Sequence, residues 1–273
     1  MKMLGFALLS LATCSGNTSA ANGKDQPVGP VAADAGADAQ SDTNSFELSS
    51  GVDYSVGKYG AAADTTVKSI PLEAKAQVGR LRVQATLPYV WIKGPGQIVG
   101  GVVVGSSNPT AVAARQGVGD LSLAAAYRVS DEHGALPTIE LGGTAKLPSA
   151  SMTIGTGQVD YGANVVLYKT VGPQVTAFGS LGYSWLGSPA TYRLKNGVSA
   201  YGGINFRPDP AVNLGASLSY REPVANGVQG QAAVSPYVSY RFSRHFGLTG
   251  YTTAGLNDAS PQLGAGLRLT LFQ

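Results

Sequence analysis

The sequence contains a single cysteine, Cys14, among its 273 residues. A lone cysteine excludes disulfide bonds within the chain and sites built from several cysteine ligands. Cys14 also lies in an N-terminal segment that we expect to be cleaved off. The mature chain is therefore predicted to carry no thiol, which excludes a cysteine nucleophile.

Charged residues and long apolar runs are scarce too. Asp, Glu, Lys and Arg make up 13% of the chain, against about 25% in ordinary soluble domains. Charge this low is expected where much of the surface meets lipid. After the N-terminus no apolar run reaches the roughly 18 residues of a membrane-spanning helix. The net charge of +3 and the singly scattered basic residues give no nucleic-acid-binding surface, so no nucleic acid partner is expected.

Catalytic signatures are missing as well. The two histidines, His133 and His245, fall in predicted periplasmic turns, and neither lies on a strand wall beside a plausible serine nucleophile. The sequence has no Gly-x-Ser-x-Gly elbow, His-Glu-x-x-His helix or cluster of metal ligands. It therefore predicts a protein without cofactor or metal that is not an enzyme. A hydrolase on the wall of an outer-membrane barrel is the competing enzyme class.

The N-terminus resembles a secretory signal peptide. Lys2 precedes an apolar run, Met3–Ala12, which small and polar residues follow. Residues 1–20 are predicted to be the signal, cleaved after Ala20 or Ala21. An alternative stays open, because Leu11–Cys14 resembles a bacterial lipobox, in which the cysteine is lipidated.

Residues 21–44 are rich in Ala, Asp, Gly, Gln and Pro and show no periodicity. We interpret them as a flexible periplasmic leader. The alternative is a segment that plugs or threads a pore.

Glycine, tyrosine and period-2 alternation are abundant. The chain has 37 Gly and 13 Tyr. The alternation is clearest in Leu141–Tyr168, where two alternating segments flank a Ser/Thr/Gly loop, as in an antiparallel strand pair. Most segments run for about ten residues or more, which suits a tilted strand crossing a bilayer. Twelve are predicted, at 45–57, 67–79, 81–93, 118–130, 136–148, 158–170, 174–186, 197–207, 211–222, 231–243, 245–256 and 262–272.

The connections between these segments alternate between long and short along the chain. Outer-membrane barrels show this pattern because their short turns face the periplasm and their longer loops face outside. The sequence therefore predicts an all-β protein, a transmembrane up-and-down antiparallel β-barrel of about 12 strands over residues 45–273. Loop 94–117 is long and apolar. Folded inward, it would favour a gated channel for poorly soluble molecules; protruding, it would favour binding.

Aromatic residues on the apolar face sort to the two ends of the predicted strands, as in the aromatic girdles of membrane barrels. Near the outer ends lie Tyr54, Tyr89, Trp91, Tyr161, Tyr183, Trp185 and Tyr220, and near the periplasmic ends lie Tyr127, Phe206, Tyr240, Phe242 and Phe246. Three prolines fit less simply. Pro71 and Pro88 are expected near strand ends, and Pro236 is expected to mark a bulge or a shorter strand.

The polar face of the predicted strands would line the lumen. Buried charges are costly unless they are paired or hydrated, so they would form a cross-strand ion-pair network, a constriction that selects solutes, or both. Basic residues near the periplasmic side could favour anions. The predicted lumen-lining residues are Glu47, Asp53, Glu73, Lys75, Arg82, Asp120, Arg128, Glu140, Lys146, Asp160, Asn164, Arg207, Arg221, Arg241 and Arg268.

Five motifs carry a family resemblance: Gly117–Leu121, Lys146–Pro148, Gly155–Tyr161, Ser180–Tyr183 and Leu256–Pro261. In their order and spacing the chain resembles the "MetA-pathway of phenol degradation" family, outer-membrane transporters of Gram-negative bacteria. The resemblance runs from about Gly117 to the C-terminus. The family usually has Thr-Gly after Lys-Leu-Pro, where this chain has Ser-Ala.

The resemblance implies a barrel of about twelve strands with a role in the passage of small molecules, aromatic or hydrophobic ones among them. Together with the residue patterns, it predicts a porin-like channel for passive transport in the bacterial outer membrane. The expected partners are the lipid bilayer with its lipopolysaccharide, a small-molecule solute and the barrel-assembly machinery. The alternative is a structural or adhesive barrel with an occluded lumen.

Overall fold

The computed structural model describes residues 44–99, 102–104, 114–151, 153–190 and 192–273. The predicted signal peptide and nearly all of the predicted leader lie outside these ranges. Within them the chain forms strands and no helix long and apolar enough to cross a membrane. The strands are β1 (Ser45–Gly57), β2 (Thr65–Val78), β3 (Leu81–Lys93), β4 (Gln97–Val99), β5 (Val102–Val104), β6 (Ala114–Val118), β7 (Leu121–Ser130), β8 (Thr138–Leu147), β9 (Asp160–Gly172), β10 (Val175–Trp185), β11 (Gly197–Asp209), β12 (Val212–Arg221), β13 (Gln231–Arg241), β14 (Phe246–Gly255) and β15 (Leu263–Phe272).

The strands close into one antiparallel barrel. Each wall strand pairs with its neighbours in sequence, and β1 pairs with both β2 and β15. At this seam Phe46 and Gln273 exchange backbone hydrogen bonds of 3.1 and 2.8 Å. β6 and β7 both pair with β3 and act as one interrupted strand, so the wall has twelve strands. The predicted twelve-stranded up-and-down barrel is confirmed.

The two faces of the wall differ as the alternation predicts. In β2, Thr65, Ser69 and Glu73 are buried inside, while Ile70 and Leu72 are exposed outside. Such an outer band of apolar side chains suits contact with lipid. The outward aromatic residues lie towards the strand ends, with Trp91 and Trp185 on the long-loop end and Phe242 and Phe246 on the short-turn end.

Pro71 and Pro88 correct one expectation, because they face each other in the middle of β2 and β3 and not near the strand ends. Proline has no backbone N–H, so the ladder is weakened at this level. Two donors partly compensate. Ser50 Oγ donates to the Pro71 carbonyl at 2.8 Å, and the Gly119 amide donates to the Pro88 carbonyl at 2.8 Å. The gap between β6 and β7 lies at the same level.

Pro236 produces no bulge. The register of β13 on β14 is the same on both sides of it, and only the pairs of residues 235–236 are missing. There the Ser235 and Thr253 hydroxyls share a hydrogen bond of 3.0 Å, which bridges the strands in place of the ladder. β13 does end earlier than predicted, at Arg241.

Candidate functional site

The candidate site is the interior of the barrel. The predicted lumen residues fall into three groups by exposure. Glu47, Glu73, Lys75, Arg82, Asp120, Arg128, Glu140, Lys146, Asp160 and Arg268 are buried, Asp53, Asn164 and Arg221 are half-buried, and Arg207 and Arg241 are exposed at the short-turn end.

One charged cluster surrounds Lys146 near the long-loop end. The Lys146 ammonium lies 2.9 Å from Asp160 Oδ2 and 3.4 Å from Asp120 Oδ2, and it donates to Thr156 Oγ1 at 3.0 Å. Each carboxylate also holds a loop. Asp120 accepts a hydrogen bond from the Ala150 amide at 2.9 Å, and Asp160 accepts one from the Gly187 amide at 2.8 Å. The cluster therefore ties Ala150 and Thr156, which follow β8, and Gly187, which follows β10, to the wall.

A second cluster crosses β1, β2 and β15. Lys75 Nζ lies 3.4 Å from Glu47 Oε2 and 3.6 Å from Glu73 Oε1. Arg268 lies 3.8 Å from Glu73 and 3.5 Å from Asp53. Asp53 also accepts a hydrogen bond from the Tyr251 hydroxyl. Positive and negative groups alternate in this cluster, so its charges are largely compensated.

Arg82 and Glu140 form a third, fully buried pair. Their strands, β3 and β8, do not pair with each other, because β7 lies between them. The inward residue of β7 opposite Arg82 is Ala126, which is small enough to let the two side chains meet above it. Arg128 pairs with Asp131 in the adjoining turn, at 3.1 Å.

On the opposite side of the barrel, the described strands β10–β14 carry inward charges only near their ends. On β10–β14 the inward residues are mostly Ser, Thr, Asn, Gly and aromatic, with arginines only at the two rims. The buried inward aromatic side chains are Phe178, Tyr201, Tyr237 and Tyr251 on these strands and Tyr168 on the adjoining β9. Our sequence interpretation missed them as a group because it read aromatics only on the apolar face. The sequence signal that could have revealed them is that they alternate in phase with the polar residues of their strands.

The Tyr237 and Tyr251 rings lie against the wall because glycines face them. A Cβ on Gly215 would lie 2.3 Å from Tyr237 Cζ, and one on Gly266 would lie 2.2 Å from Tyr251 Cζ. Both distances are far below contact, so only glycine leaves room for each ring beside the neighbouring strand. Tyr237 is also anchored by its hydroxyl, which donates to Asn205 Oδ1 at 3.1 Å. The Tyr237 and Tyr251 rings thus lie over the inner face of a neighbouring strand.

The hairpin β4–β5 folds inward at the long-loop end. Ile98 and Val103 are buried in an apolar cluster with the inward-facing Val67, Val90 and Ile92 of β2 and β3. Across the mouth, the Val103 carbonyl accepts a hydrogen bond from Gln231 Nε2 of β13 at 3.0 Å. Val104 packs against Leu194 and Val224 in the far loops. Of the alternatives for loop 94–117, the hairpin β4–β5 takes the inward one, while residues 114–117 belong to the wall strand β6.

A cavity of about 1110 Å³ adjoins β1, β2, β3, β6 and β15 near this end. It is lined by outward residues such as Val52 and Ile70 and by inward ones such as Ser69 and Ile92. The cavity is therefore lined by residues of both faces of the wall. Among its strands are β2, which contains Pro71, and β3, and both contact the inward hairpin.

The short-turn end holds the histidines and a carboxylate clamp. Lys169 Nζ donates to Glu132 Oε1 at 2.8 Å, and the hydrogen bond lowers the pKa of Glu132 below its ordinary value. The His245 ring contacts the Phe272 carbonyl oxygen, with Nδ1 at 3.2 Å. In the part of the chain that the structure describes, neither histidine ring contacts a serine hydroxyl, and no group of His, Cys, Asp and Glu is arranged to hold a metal ion.

Comparisons with known proteins agree with this architecture. The sequence model of the family described as "Putative MetA-pathway of phenol degradation" matches residues 21–271, which extends the resemblance through the first strands. A search of proteins with curated descriptions finds no match.

Solved structures show the same fold. The crystal structure of the COG4313 outer membrane channel from Pseudomonas putida F1 superposes with a TM-score of 0.66 at 15% identity, covering 84% of this chain and 95% of that one. The KdgM porin has a TM-score of 0.53 at 8% identity, covering 83% and 98%. The NanC porin has a TM-score of 0.52 at 9% identity, covering 82% of this chain and 98% of that one.

Proposed function

Because the chain belongs to the MetA-pathway of phenol degradation family and folds as a closed twelve-stranded barrel, we propose that it is a passive outer-membrane channel. Its solutes are small, uncharged molecules, aromatic or hydrophobic in character. In this proposal the barrel lies in the bacterial outer membrane, with lipid and lipopolysaccharide around its aromatic girdles, and the barrel-assembly machinery inserts it.

The observation that carries the proposal is the presence of apolar and aromatic surface inside the barrel. Membrane barrels normally have polar interiors. Here Val67, Val90 and Ile92 face inward at the long-loop mouth, and four aromatic rings lie on the inner side of β10–β14. A hydrophilic pore has no use for such a lining, since it stabilises apolar solutes and not hydrated ones.

The charges of the other half do not oppose this function. Lys75, Lys146 and Arg268 each contact two carboxylates, and Arg82 pairs with Glu140. Side chains that are paired in this way hold one another at the wall. An uncharged molecule can then move along the aromatic half without displacing a charged group.

The competing class is a structural barrel with an occluded lumen, and the inward hairpin is the observation that favours it. The two classes differ in what the hairpin does. As a gate for apolar solutes it admits them while excluding hydrated ones. As a permanent plug it excludes both.

The test is uptake of a hydrophobic fluorescent amine, N-phenyl-1-naphthylamine, by intact cells whose lipopolysaccharide excludes it. Cells that produce the protein should take up the dye faster than cells without it. Proteoliposomes should show little swelling in arabinose until residues 97–104 are replaced by a Gly-Ser linker. Equal dye uptake in both cell types, with the barrel folded, would support the structural class.

Ser217 offers a matched pair of variants. It faces inward, buried, in the uncharged half. Ser217→Lys and Ser217→Met add side chains of similar length, but only lysine brings a charge that an apolar solute cannot solvate. Lysine should slow dye uptake several-fold more than methionine does. Equal slowing would show that width and not polarity controls passage.

A further inference from the structure

A small cavity opens at the short-turn end of β11–β15. Its volume is about 260 Å³. By strand parity the inward residues that line it include Arg207, Asn213, Ser239, Arg241, Gly247, Thr249, Thr270 and Phe272. It lies at the opposite end of the lumen from the apolar mouth, and its lining is mainly polar.

Two guanidinium groups in this lining have no carboxylate partner in the part of the chain that the structure describes. Among the described residues neither Arg207 nor Arg241 takes part in an ion pair, whereas Arg82 and Arg268 both do. Both arginines are exposed at the rim. The positive charge of this end is therefore available to a ligand.

Phe272 fixes the position of one of these groups. The Arg241 guanidinium lies 3.9 Å from the centre of the Phe272 ring, a cation–π contact. The two residues belong to β13 and β15, and Gly247 of β14 lies between them. A Cβ on Gly247 would lie 3.0 Å from Phe272 Cε2. The missing side chain at this position creates the hollow in which the ring and the guanidinium meet.

The rest of the lining supplies neutral hydrogen-bonding groups. The Asn213 amide is buried beside the cavity. Ser239 and Thr249 share a hydrogen bond of 2.8 Å between their hydroxyls. Only one of the two hydroxyl protons is used in that bond, so the other can donate elsewhere. A ligand here meets two cations, a hydroxyl donor, an amide and an aromatic ring.

We propose that this cavity is a binding site for a small organic carboxylate, of the size of a single-ring aromatic acid. Planar guanidinium groups match the geometry of a carboxylate and bind it through charge-assisted hydrogen bonds. The volume is below the several hundred Å³ typical of sites for drug-sized molecules, which limits the ligand to about one ring. Binding at this site is separate from the passage of uncharged molecules and needs no transport.

The test is equilibrium binding of benzoate to the detergent-purified barrel by isothermal titration calorimetry. Benzyl alcohol, of similar shape and no charge, is the reference ligand. Benzoate should bind and benzyl alcohol should not. Arg241→Gln and Arg207→Gln should each weaken benzoate binding roughly tenfold or more, as expected for a lost charge-assisted bond.

Arg244→Gln is the matched control, because Arg244 lies in the turn at the same end and outside the cavity lining. It should leave benzoate binding unchanged. Gly247→Val should abolish binding with both arginines present, because it fills the hollow. Heat-modifiable migration on gels shows that each variant is folded. Equal binding of the two ligands, no binding of benzoate, or equal weakening by Arg244→Gln would overturn the proposal. Because no flux is measured, the result is independent of the dye-uptake experiment.

Discussion

Replacement of Lys146 by methionine tests whether the buried charges stabilise the wall as a unit. Lys146 is 4% exposed, Asp120 1% and Asp160 7%, so solvent does not screen the cluster. Methionine has a similar length and keeps the packing of the chain. It removes the one cation and leaves two carboxylates facing each other without their shared partner.

Lys146→Met should lower the free energy of unfolding by about 3–5 kcal/mol, the cost of leaving a buried charge without its partner. Further substitution of Asp120→Asn and Asp160→Asn should recover most of it. Neutral residues in place of a buried ionic group are often tolerated well, and an asparagine side-chain oxygen can still accept the Ala150 and Gly187 amide hydrogen bonds. The triple variant should thus be more stable than the single one.

The measurement is reversible urea unfolding in lipid vesicles, followed by tryptophan fluorescence. Trp91 and Trp185 are the only tryptophans, and both lie exposed on the outer face, so their emission reports departure from lipid. Heat-modifiable gel migration gives an independent readout. The reasoning is refuted if Lys146→Met costs less than about 1 kcal/mol, or if the triple variant is less stable than the single one.

Two further predictions concern the inner wall and the short-turn end. Gly215→Val should push the Tyr237 ring off the wall, which narrows the lumen and slows dye uptake in a folded barrel. Gly250→Ala, at a position with room for a Cβ, should leave dye uptake unchanged. Equal rates of dye uptake for the two variants would contradict this prediction. The hydrogen bond from Lys169 lowers the pKa of Glu132 below the ordinary glutamate value of 4.5. The ionised Glu132 therefore stabilises the fold fully above pH 4.5, and this stabilisation is lost as the pH falls below 4.5 and through the lowered pKa. The urea midpoints of the native protein and Glu132→Gln should therefore converge with acidification, and a constant difference down to low pH would argue against it.

The strands were predictable because a membrane barrel imposes two environments on alternate residues. Leu72 and Glu73 differ in the face they occupy, and period-2 alternation shows this directly. The closed topology also followed, since alternating connection lengths define which end of each strand carries a turn.

Which side chains meet inside the barrel could not be read in the same way. Parity gives the face of a residue, but not the stagger between strands. Arg82 on β3 reaches Glu140 on β8 only because the intervening strand β7 has the small residue Ala126 between them. The inward apolar cluster of Val67 and Val90 was equally hidden, because its partners are in a hairpin distant in sequence.

The placement of Pro71 and Pro88 was wrong for a related reason. Each segment taken alone permitted a proline near its end, since the boundaries were uncertain by a few residues. Only the register of β2 on β3 shows that the two prolines face each other.

The seam between Phe46 and Gln273 has a consequence for how the protein folds. β1 and β15 come from opposite ends of the described barrel, so their pairing is the most non-local contact in the fold. Until it forms, both strands keep unpaired backbone groups, which hydrocarbon does not tolerate. Insertion of the barrel into the membrane must then wait until β15 has been synthesised and is available to pair with β1. Closure between strands so distant in sequence is intrinsically slow. The barrel is expected to assemble cooperatively after synthesis, without a stable half-inserted intermediate.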